Sequence, residues 1–347
     1  MKKRWSRIVS AGWSRCGKWI FRAAFLLLAV LAPWCVGALF LAFDLSAVAA
    51  WAAVVLLLAS LIVGLFFRWA WAAAAALLEG LTIIAYYSLT PEQRFAETVW
   101  QTPWRRTLEV RKLDDGGYEL HNVRDFLYRS ENDFDVRYRT VTVSPERISS
   151  IDIAFSHWDN LESIAHSMLG LNFEDGTTVV ISLETRLPEG AEQNGLDGLY
   201  RRYELAMLAG TPEDLYGLRA DHRGETLYVY RLRNDRETLR EMTVAVFSRA
   251  AELQRKPEFY HSLFLNCSTG LLSMLQRTTR HSSADVRIML NGQAAKMLFD
   301  REALFRREGE SFGSLRSRSL VPGLCRGKSA SPARYGGESE CRWLRNR

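Results

Sequence analysis

The stretch of the chain most suited to covalent chemistry is "FLNCSTGLL", residues 264–272. Cys267 stands there among small polar residues, just where an apolar run begins. The pattern predicts that Cys267 opens a helix, where unpaired N–H groups and the helix dipole stabilise a thiolate. Such a cysteine is either a nucleophile or a half-buried thiol, because free cysteine is among the most buried residue types. Asn266 is a candidate both for helix cap and for a donor to an oxyanion.

A nucleophilic thiol needs a base, and the clearest strand signal contains one. Residues 163–186, "SIAHSMLGLNFEDGTTVVISLETR", alternate as in a hairpin centred on Asp175. That register places Glu184 directly opposite His166, on the same face. A carboxylate beside an imidazole fixes its tautomer and stabilises its charged form. Cys267, His166 and Glu184 are therefore candidates for nucleophile, base and orienting group, although a surface polar pair also explains the last two.

The N-terminal part of the chain differs sharply from the rest in composition. Residues 1–22 carry seven basic residues and no acid, and residues 23–88 are almost entirely apolar. We predict a basic cytoplasmic segment over 1–22 and a helical transmembrane region of three spans over 23–88. This topology puts the remainder outside the inner membrane, in the periplasm of a bacterium. If the last two runs form one kinked helix, the remainder is cytoplasmic instead. Glu79, inside the third run, is expected to be protonated or hydrogen-bonded within a helix bundle.

The remainder reads as an α+β domain over 89–308, followed by a basic, disordered tail over 309–347. Strands are predicted at "YELHNV", "YRTVTV", "ISSIDIAF" and "TLYVYRL". Helices are predicted at 192–208, at 234–256 and at 292–304, besides the one that Cys267 opens. The capping-box spacing of Asn234 and Glu237 supports the second of these helices.

Several motifs in this domain resemble a known family. The order of a histidine on one strand, an acid on the next and "NC" at a helix start resembles the circularly permuted, NlpC-type papain-like fold. More closely, residues 122–305 resemble the family named for the N-terminal periplasmic domain of Lnb, the lipoprotein N-acyltransferase. The resemblance is carried by the following stretches: "NVRDFLYRSENDFDVRY", "IAHSMLGLNFEDGTTVVISLETR", "GLYRRYELAML", "RGETLYVYRL", "PEFYHSLFLNCST" and "LNGQAAKMLFDREAL".

This resemblance implies a Cys–His thiol enzyme located outside the inner membrane. By the matching motifs, Cys267 corresponds to the nucleophile, His166 to the base and Glu184 to a third member. The chain departs from the family in its architecture, because three predicted spans precede the domain and only a short basic tail follows it.

The chemistry expected of these residues is acyl transfer. His166 and the helix dipole are expected to lower the pKa of the Cys267 thiol, which attacks an ester or amide carbonyl and forms a thioester. An amine that resolves the thioester makes the protein an acyltransferase, and water makes it a hydrolase.

These steps lead to three functional hypotheses. The first is a membrane-anchored periplasmic thiol acyltransferase, with membrane phospholipid or a lipoprotein as partner and lipoprotein N-acylation as its reaction. The second is a cysteine amidase or peptidase acting on cell-wall peptide or lipoprotein. The third is an anchored binding module without catalysis. The basic N-terminal cluster is attributed to the membrane rather than to nucleic acid.

The sequence indicates neither a cofactor nor a metal. A zinc site made of His157, His166, Glu184 and Cys267 has suitable ligand types, but these residues lack the close-set spacing of zinc motifs.

Overall fold

The computed structural model of the chain describes residues 31–38, 70–89, 97–157, 164–278 and 291–321, with positions 51, 54, 55, 59 and 95 in addition. The chain divides into two compact units. One comprises Met1–Glu97 with Leu199–Arg202, and the other comprises Thr98–Gly198 with Tyr203–Arg347.

The second unit is built on an eight-stranded mixed sheet. Seven strands lie in the order β1-β2-β9-β8-β7-β6-β10, and the eighth, β5, pairs with β2 outside this order. The β2–β9 pair is parallel and the others are antiparallel. The strands of this sheet are β1 Glu109–Lys112, β2 Tyr118–Arg124, β5 Tyr138–Val143, β6 Ile148–His157, β7 His166–Phe173, β8 Thr178–Arg186, β9 Glu204–Gly210 and β10 Thr226–Arg231. A separate two-stranded sheet comprises β3 Leu127–Ser130 and β4 Asp133–Asp135.

Helices cover both faces of this sheet. The helices of the unit are α2 Pro212–Gly217, α3 Arg236–Arg255, α4 Cys267–Thr278, α5 Ala294–Asp300 and α6 Phe312–Ser319; α1, Ala70–Leu89, belongs to the first unit. A single π-helical turn, Leu218–His222, follows α2. The α+β class predicted for this part of the chain is confirmed.

The β7–β8 hairpin has the predicted register. The two strands pair from Asn172↔Thr178 to Met168↔Ser182, around a turn in which Gly176 has a φ of 85°. Successive side chains point to opposite faces. Met168 therefore packs in one buried cluster with residues of α2, whereas Leu169 packs in the other with α3 and α4. The hairpin lies between two cores, and this position decides what each of its residues contacts.

The predicted helix over 192–208 is wrong. Residues Asp197–Leu199 form only a short 3-10 turn, and residues Glu204–Gly210 form β9. Every residue of β9 is buried in the interior of the sheet, next to β8. A fully buried strand lacks apolar–polar alternation, so its sequence cannot be told from a buried helix by periodicity.

The helices predicted over 234–256 and 292–304 are confirmed, as α3 and α5, although both are shorter than predicted. Helix α3 begins after Asp235, whose carboxylate accepts the N–H of Thr238, so Asp235 rather than Asn234 is the cap.

The predicted tail is ordered as far as residue 321, because Ser311 caps α6 and Leu315 and Val321 are buried. Residues 322–347 lie outside the described part of the chain.

The prediction of three transmembrane helices is wrong. Among the described residues, no helix is long and apolar enough to cross a membrane. The third predicted span coincides with α1, in which seven of the 20 residues are alanine and Glu79 lies near the middle. Alanine offers little apolar surface, so a run rich in it is less hydrophobic than its length implies. The first two predicted spans, and the basic segment 1–22, lie almost wholly outside the described residues.

Glu79, the acid predicted to lie inside the third span, is among the residues that the structure describes. It is buried, and its carboxylate oxygens have no hydrogen-bond partner among the described residues. Burial raises the pKa of Glu79, which favours the protonated form expected from the sequence.

Candidate functional site

The hairpin brings His166 and Glu184 together through a serine. Nε2 of His166 lies 2.7 Å from Oγ of Ser182, and that hydroxyl donates to Oε1 of Glu184 at 2.9 Å. The direct distance from Nε2 to the same Oε1 is 3.7 Å. Because the serine proton goes to the carboxylate, the serine oxygen accepts the proton of Nε2. The hydrogen-bond pattern therefore assigns the Nε2–H tautomer and leaves Nδ1 as the basic nitrogen.

This pair is largely buried rather than a surface pair. The side chains of His166 and Glu184 are 13% and 12% exposed. Burial lowers the pKa of His166 to about 3, the nearby guanidinium of Arg219 adds to this, and Glu184 opposes it. His166 is therefore neutral at pH 7, and its Nδ1 is able to accept a proton.

Glu184 is held by groups from outside the hairpin. Nε1 of Trp104 donates to Oε2 at 2.7 Å, and a guanidinium N–H of Arg219 donates to Oε1 at 2.9 Å. Burial acts to raise the pKa of Glu184, but the positive charge of Arg219 and the remaining partners outweigh it and hold the pKa well below its usual range. Glu184 is thus a buried, ionised carboxylate.

Cys267 is the first residue of α4 and is 6% exposed. Its sulfur accepts hydrogen bonds from the backbone N–H of Ser167 and from the N–H and hydroxyl of Ser268, and these bonds favour the thiolate. Burial outweighs them and raises the pKa of the thiol. The expected lowering of this pKa is therefore wrong, and the resting group is the protonated thiol.

The three residues predicted to act together lie at one end of β7, with His166 and Glu184 on one face of the sheet and Cys267 at the start of the helix that packs on the other. Helix α4 packs on the face of Ser167, whose hydroxyl bonds to that of Ser268. His166 points to the other face, where it reaches Ser182. Cys267 is linked to this group by its bond to the backbone of Ser167, the residue that follows His166.

Asn266 is the cap of α4. Its side-chain oxygen accepts the N–H groups of Ser268 and Thr269 at 3.0 and 2.9 Å, and its Nδ2 donates to the carbonyl of Ser262. Of its two predicted roles, capping is the one that its contacts support. The role of oxyanion donor stays a prediction.

Sequence reasoning missed three members of this site, namely Trp104, Ser182 and Arg219. Ser182 could have been found, because it precedes Glu184 by two residues on one strand and therefore shares its face. Trp104 and Arg219 approach from segments far away in the sequence, and no local pattern marks them.

The described residues include no group of three or more His, Cys, Asp or Glu side chains placed to hold a metal ion. His166 and Glu184 are instead engaged with Ser182, Arg219 and Trp104.

The fold and the site define an α+β domain whose sheet joins a buried thiol at a helix start to a buried imidazole and carboxylate. Residues 134–292 match the family model described as the Lnb N-terminal periplasmic domain. This match agrees with the resemblance that the motifs of the chain carry, and it supports a periplasmic location. No curated protein and no solved structure matches the chain. The papain-like part of the resemblance stays a prediction.

Proposed function

We propose that this domain is a thiol enzyme that transfers an acyl group through a thioester on Cys267. The observation that carries the proposal is the arrangement at the start of β7. The Cys267 thiol bonds to the backbone of Ser167, the residue that follows His166, and the hydrogen bonds of His166 leave Nδ1 free of its proton. A neutral imidazole with an oriented tautomer is the form that a general base requires.

The first chemical step starts from a protonated thiol and a neutral imidazole. Because the resting thiol is protonated, its proton moves to Nδ1 of His166 while the sulfur bonds to the carbonyl carbon of an ester. The imidazolium formed is stabilised by Glu184 through Ser182. The ester C–O bond then breaks, and the departing oxygen takes the proton from Nδ1. N–H groups at the start of α4 are the candidate donors to the oxyanion.

The second step regenerates the thiol. An amine attacks the thioester carbon and loses a proton to Nδ1 of His166. The C–S bond breaks, and the sulfur recovers that proton from the imidazolium. The products are an amide and the free enzyme.

Burial of the thiol supports transfer over hydrolysis. Cys267 is 6% exposed, so a thioester formed there is shielded from bulk water. Exclusion of water lets an amine compete as the second nucleophile. We propose a phospholipid as acyl donor and the N-terminal amine of a lipoprotein as acceptor, in line with the resemblance to Lnb and with the periplasmic location. Hydrolysis of peptide by the same thiol is the competing outcome.

The test is a transfer assay with the purified full chain. Phospholipid vesicles supply the donor, and a synthetic diacylated lipopeptide with a free N-terminal amine is the acceptor. We expect N-acylated lipopeptide from the wild type and from C35S, which changes another buried cysteine, and none from C267S. A product formed equally by C267S would overturn the proposal. Cleavage of cell-wall peptide by the wild type alone, without acylation, would identify a hydrolase.

A further inference from the structure

Arg219 occupies an unusual position for a charged residue. It lies in the π-helical turn Leu218–His222 and is 4% exposed. One end of its guanidinium donates to the carbonyl of Leu215 at 3.1 Å, and the other donates to Glu184. Burying a cation in this way is unfavourable unless its partners are fixed. Both contacts therefore hold the guanidinium in one place against the sheet.

The orientation of the Glu184 carboxylate depends on this contact. Oε1 accepts from Arg219 and from Ser182, both at 2.9 Å, while Oε2 accepts from Trp104. Ser182 can accept the proton of His166 only while its own proton goes to Oε1. The position of Oε1 thus decides which nitrogen of His166 carries the proton.

We propose that Arg219 is a positioning residue of this site, which fixes Glu184 so that Ser182 holds the proton on Nε2 of His166 and leaves Nδ1 as the acceptor. This inference rests on the proposed function for its catalytic meaning. The geometry that it predicts can be measured without any reaction.

The charges around His166 support this role. The charged and titratable groups around the site include Glu184 on β8, Arg219 in the π-helical turn, Arg223 after it, Glu225 before β10, Arg124 on β2, Cys267 on α4, Tyr128 on β3, Tyr216 on α2 and Tyr260 before α4. Arg219 is the cation bonded to Glu184, whereas Arg223 pairs with Glu131 at 2.9 Å. Removal of Arg219 leaves Glu184 without its paired cation, beside the imidazole. The pKa of His166 should then rise, because the unpaired carboxylate favours the imidazolium.

The experiment is nitrogen NMR of the full chain labelled with ¹⁵N-histidine, with His166→Gln to assign the His166 signals. In the wild type we expect a single Nε2–H tautomer that stays neutral down to about pH 4, since burial and Arg219 place the pKa of His166 at about 3. In Arg219→Met we expect mixed tautomers and a titration midpoint raised by about 1 to 3 pH units.

Three further variants separate positioning from a general structural effect. Arg223→Met removes a nearby cation that does not bond to Glu184, and should shift the midpoint far less. Arg219→Lys should restore part of the wild-type signal. Arg219→Met combined with Glu184→Gln removes both charges, so it should fold if the single variant does not and should return the midpoint to a low value.

The outcomes distinguish this proposal from the proposed function. If Arg219→Met and Arg223→Met leave the His166 spectrum equally unchanged, the positioning role is wrong, whatever the transfer assay gives. If the spectrum changes as expected but C267S transfers acyl groups like the wild type, the proposed function fails while the role of Arg219 in fixing the tautomer stands.

Discussion

The two faces of the β7–β8 hairpin differ in their chemistry near the start of β7. On one face, His166, Ser182 and Glu184 form a buried hydrogen-bonded chain with Arg219. On the other face, Gly270 of α4 lies so close to the sheet that a Cβ there would be 2.5 Å from Cδ1 of Leu183. At this end of the hairpin, one face carries charged groups and fixes the position of a proton, and the other packs against α4.

This difference shows how a small element can hold a site rigidly. Ser182 and Leu183 are neighbours in sequence, yet one belongs to the polar chain and the other to the apolar core. The packed face fixes the backbone of the hairpin and the start of α4, and the polar face uses that fixed backbone. Variants of the packed face should therefore change stability, whereas variants of the polar face should change chemistry.

The largest stability effect is expected from Leu271→Ala, in the helix α4 that covers the packed face of the hairpin. Leu271 is fully buried in the core cluster between α4 and the sheet. Loss of its side chain should lower the free energy of unfolding by about 2–5 kcal/mol. Urea denaturation measures this. Ser273→Ala, on the exposed side of the same helix, should change little, and equal effects of the two variants would contradict the assignment of faces.

Gly270→Ala should destabilise by overpacking. The added methyl group would meet Leu183 at a distance that real contacts do not reach. We expect a loss of about 1–3 kcal/mol in the same denaturation experiment. Gly217→Ala is the matched control, because its Cβ would have 3.7 Å to the nearest atom, in Asp221. A neutral Gly270→Ala would show that α4 does not pack tightly here.

Acid should weaken the folded state through His166. The unfolded residue takes up a proton near pH 6.5, but the folded one does so only near its pKa of about 3. The unfolded state therefore binds more protons between these values, and stability falls as the pH drops through this window. From pH 7 to pH 5 the loss should be about 2 kcal/mol.

His166→Gln should remove that part of the pH dependence, and urea denaturation at both pH values measures the difference. The low pKa of Glu184 reduces stability only below about pH 4.5, so Glu184 does not contribute to the difference between pH 7 and pH 5. A wild type and variant with the same slope between pH 7 and pH 5 would contradict a neutral, buried His166.

Ser182→Ala should have the smallest effect on stability. It removes two hydrogen bonds but leaves Glu184 bound by Arg219 and Trp104, so about 1 kcal/mol is expected. Acyl transfer should nevertheless fall steeply, because Nε2 of His166 loses its acceptor. The control is Ser167→Ala, which removes a hydroxyl from the packed face of β7, and its transfer rate is compared with that of Ser182→Ala. Equal transfer rates in Ser182→Ala and the wild type would show that the serine has no part in the chemistry.

Local signals account for the parts that the sequence predicted well. Two apolar runs around the turn Glu174-Asp175-Gly176 predicted the hairpin, and with it the opposition of His166 and Glu184. Small polar residues before an apolar run specified the start of α4 at Cys267. The register then followed from geometry alone, because a shift by one residue would turn every side chain to the wrong face.

The features that the sequence predicted wrongly, or did not predict, depend on contacts between distant segments. β9 is buried on all sides, so its sequence carried no period of its own. The contact of Arg219 with Glu184 joins a turn after α2 to a strand 35 residues earlier, which no local pattern encodes. The direction of the Cys267 pKa depends on burial, and the helix start alone predicted the opposite sign.

The most direct test of the central claim is to trap the intermediate on Cys267. Purified protein is incubated with phospholipid vesicles without an acceptor, digested, and analysed by mass spectrometry of the peptide that contains Cys267. We expect an acyl adduct on this cysteine that hydroxylamine removes, that Ser182→Ala reduces, and that His166→Gln abolishes. An unmodified Cys267 peptide in the wild type, under conditions in which the protein acylates an amine, would contradict it.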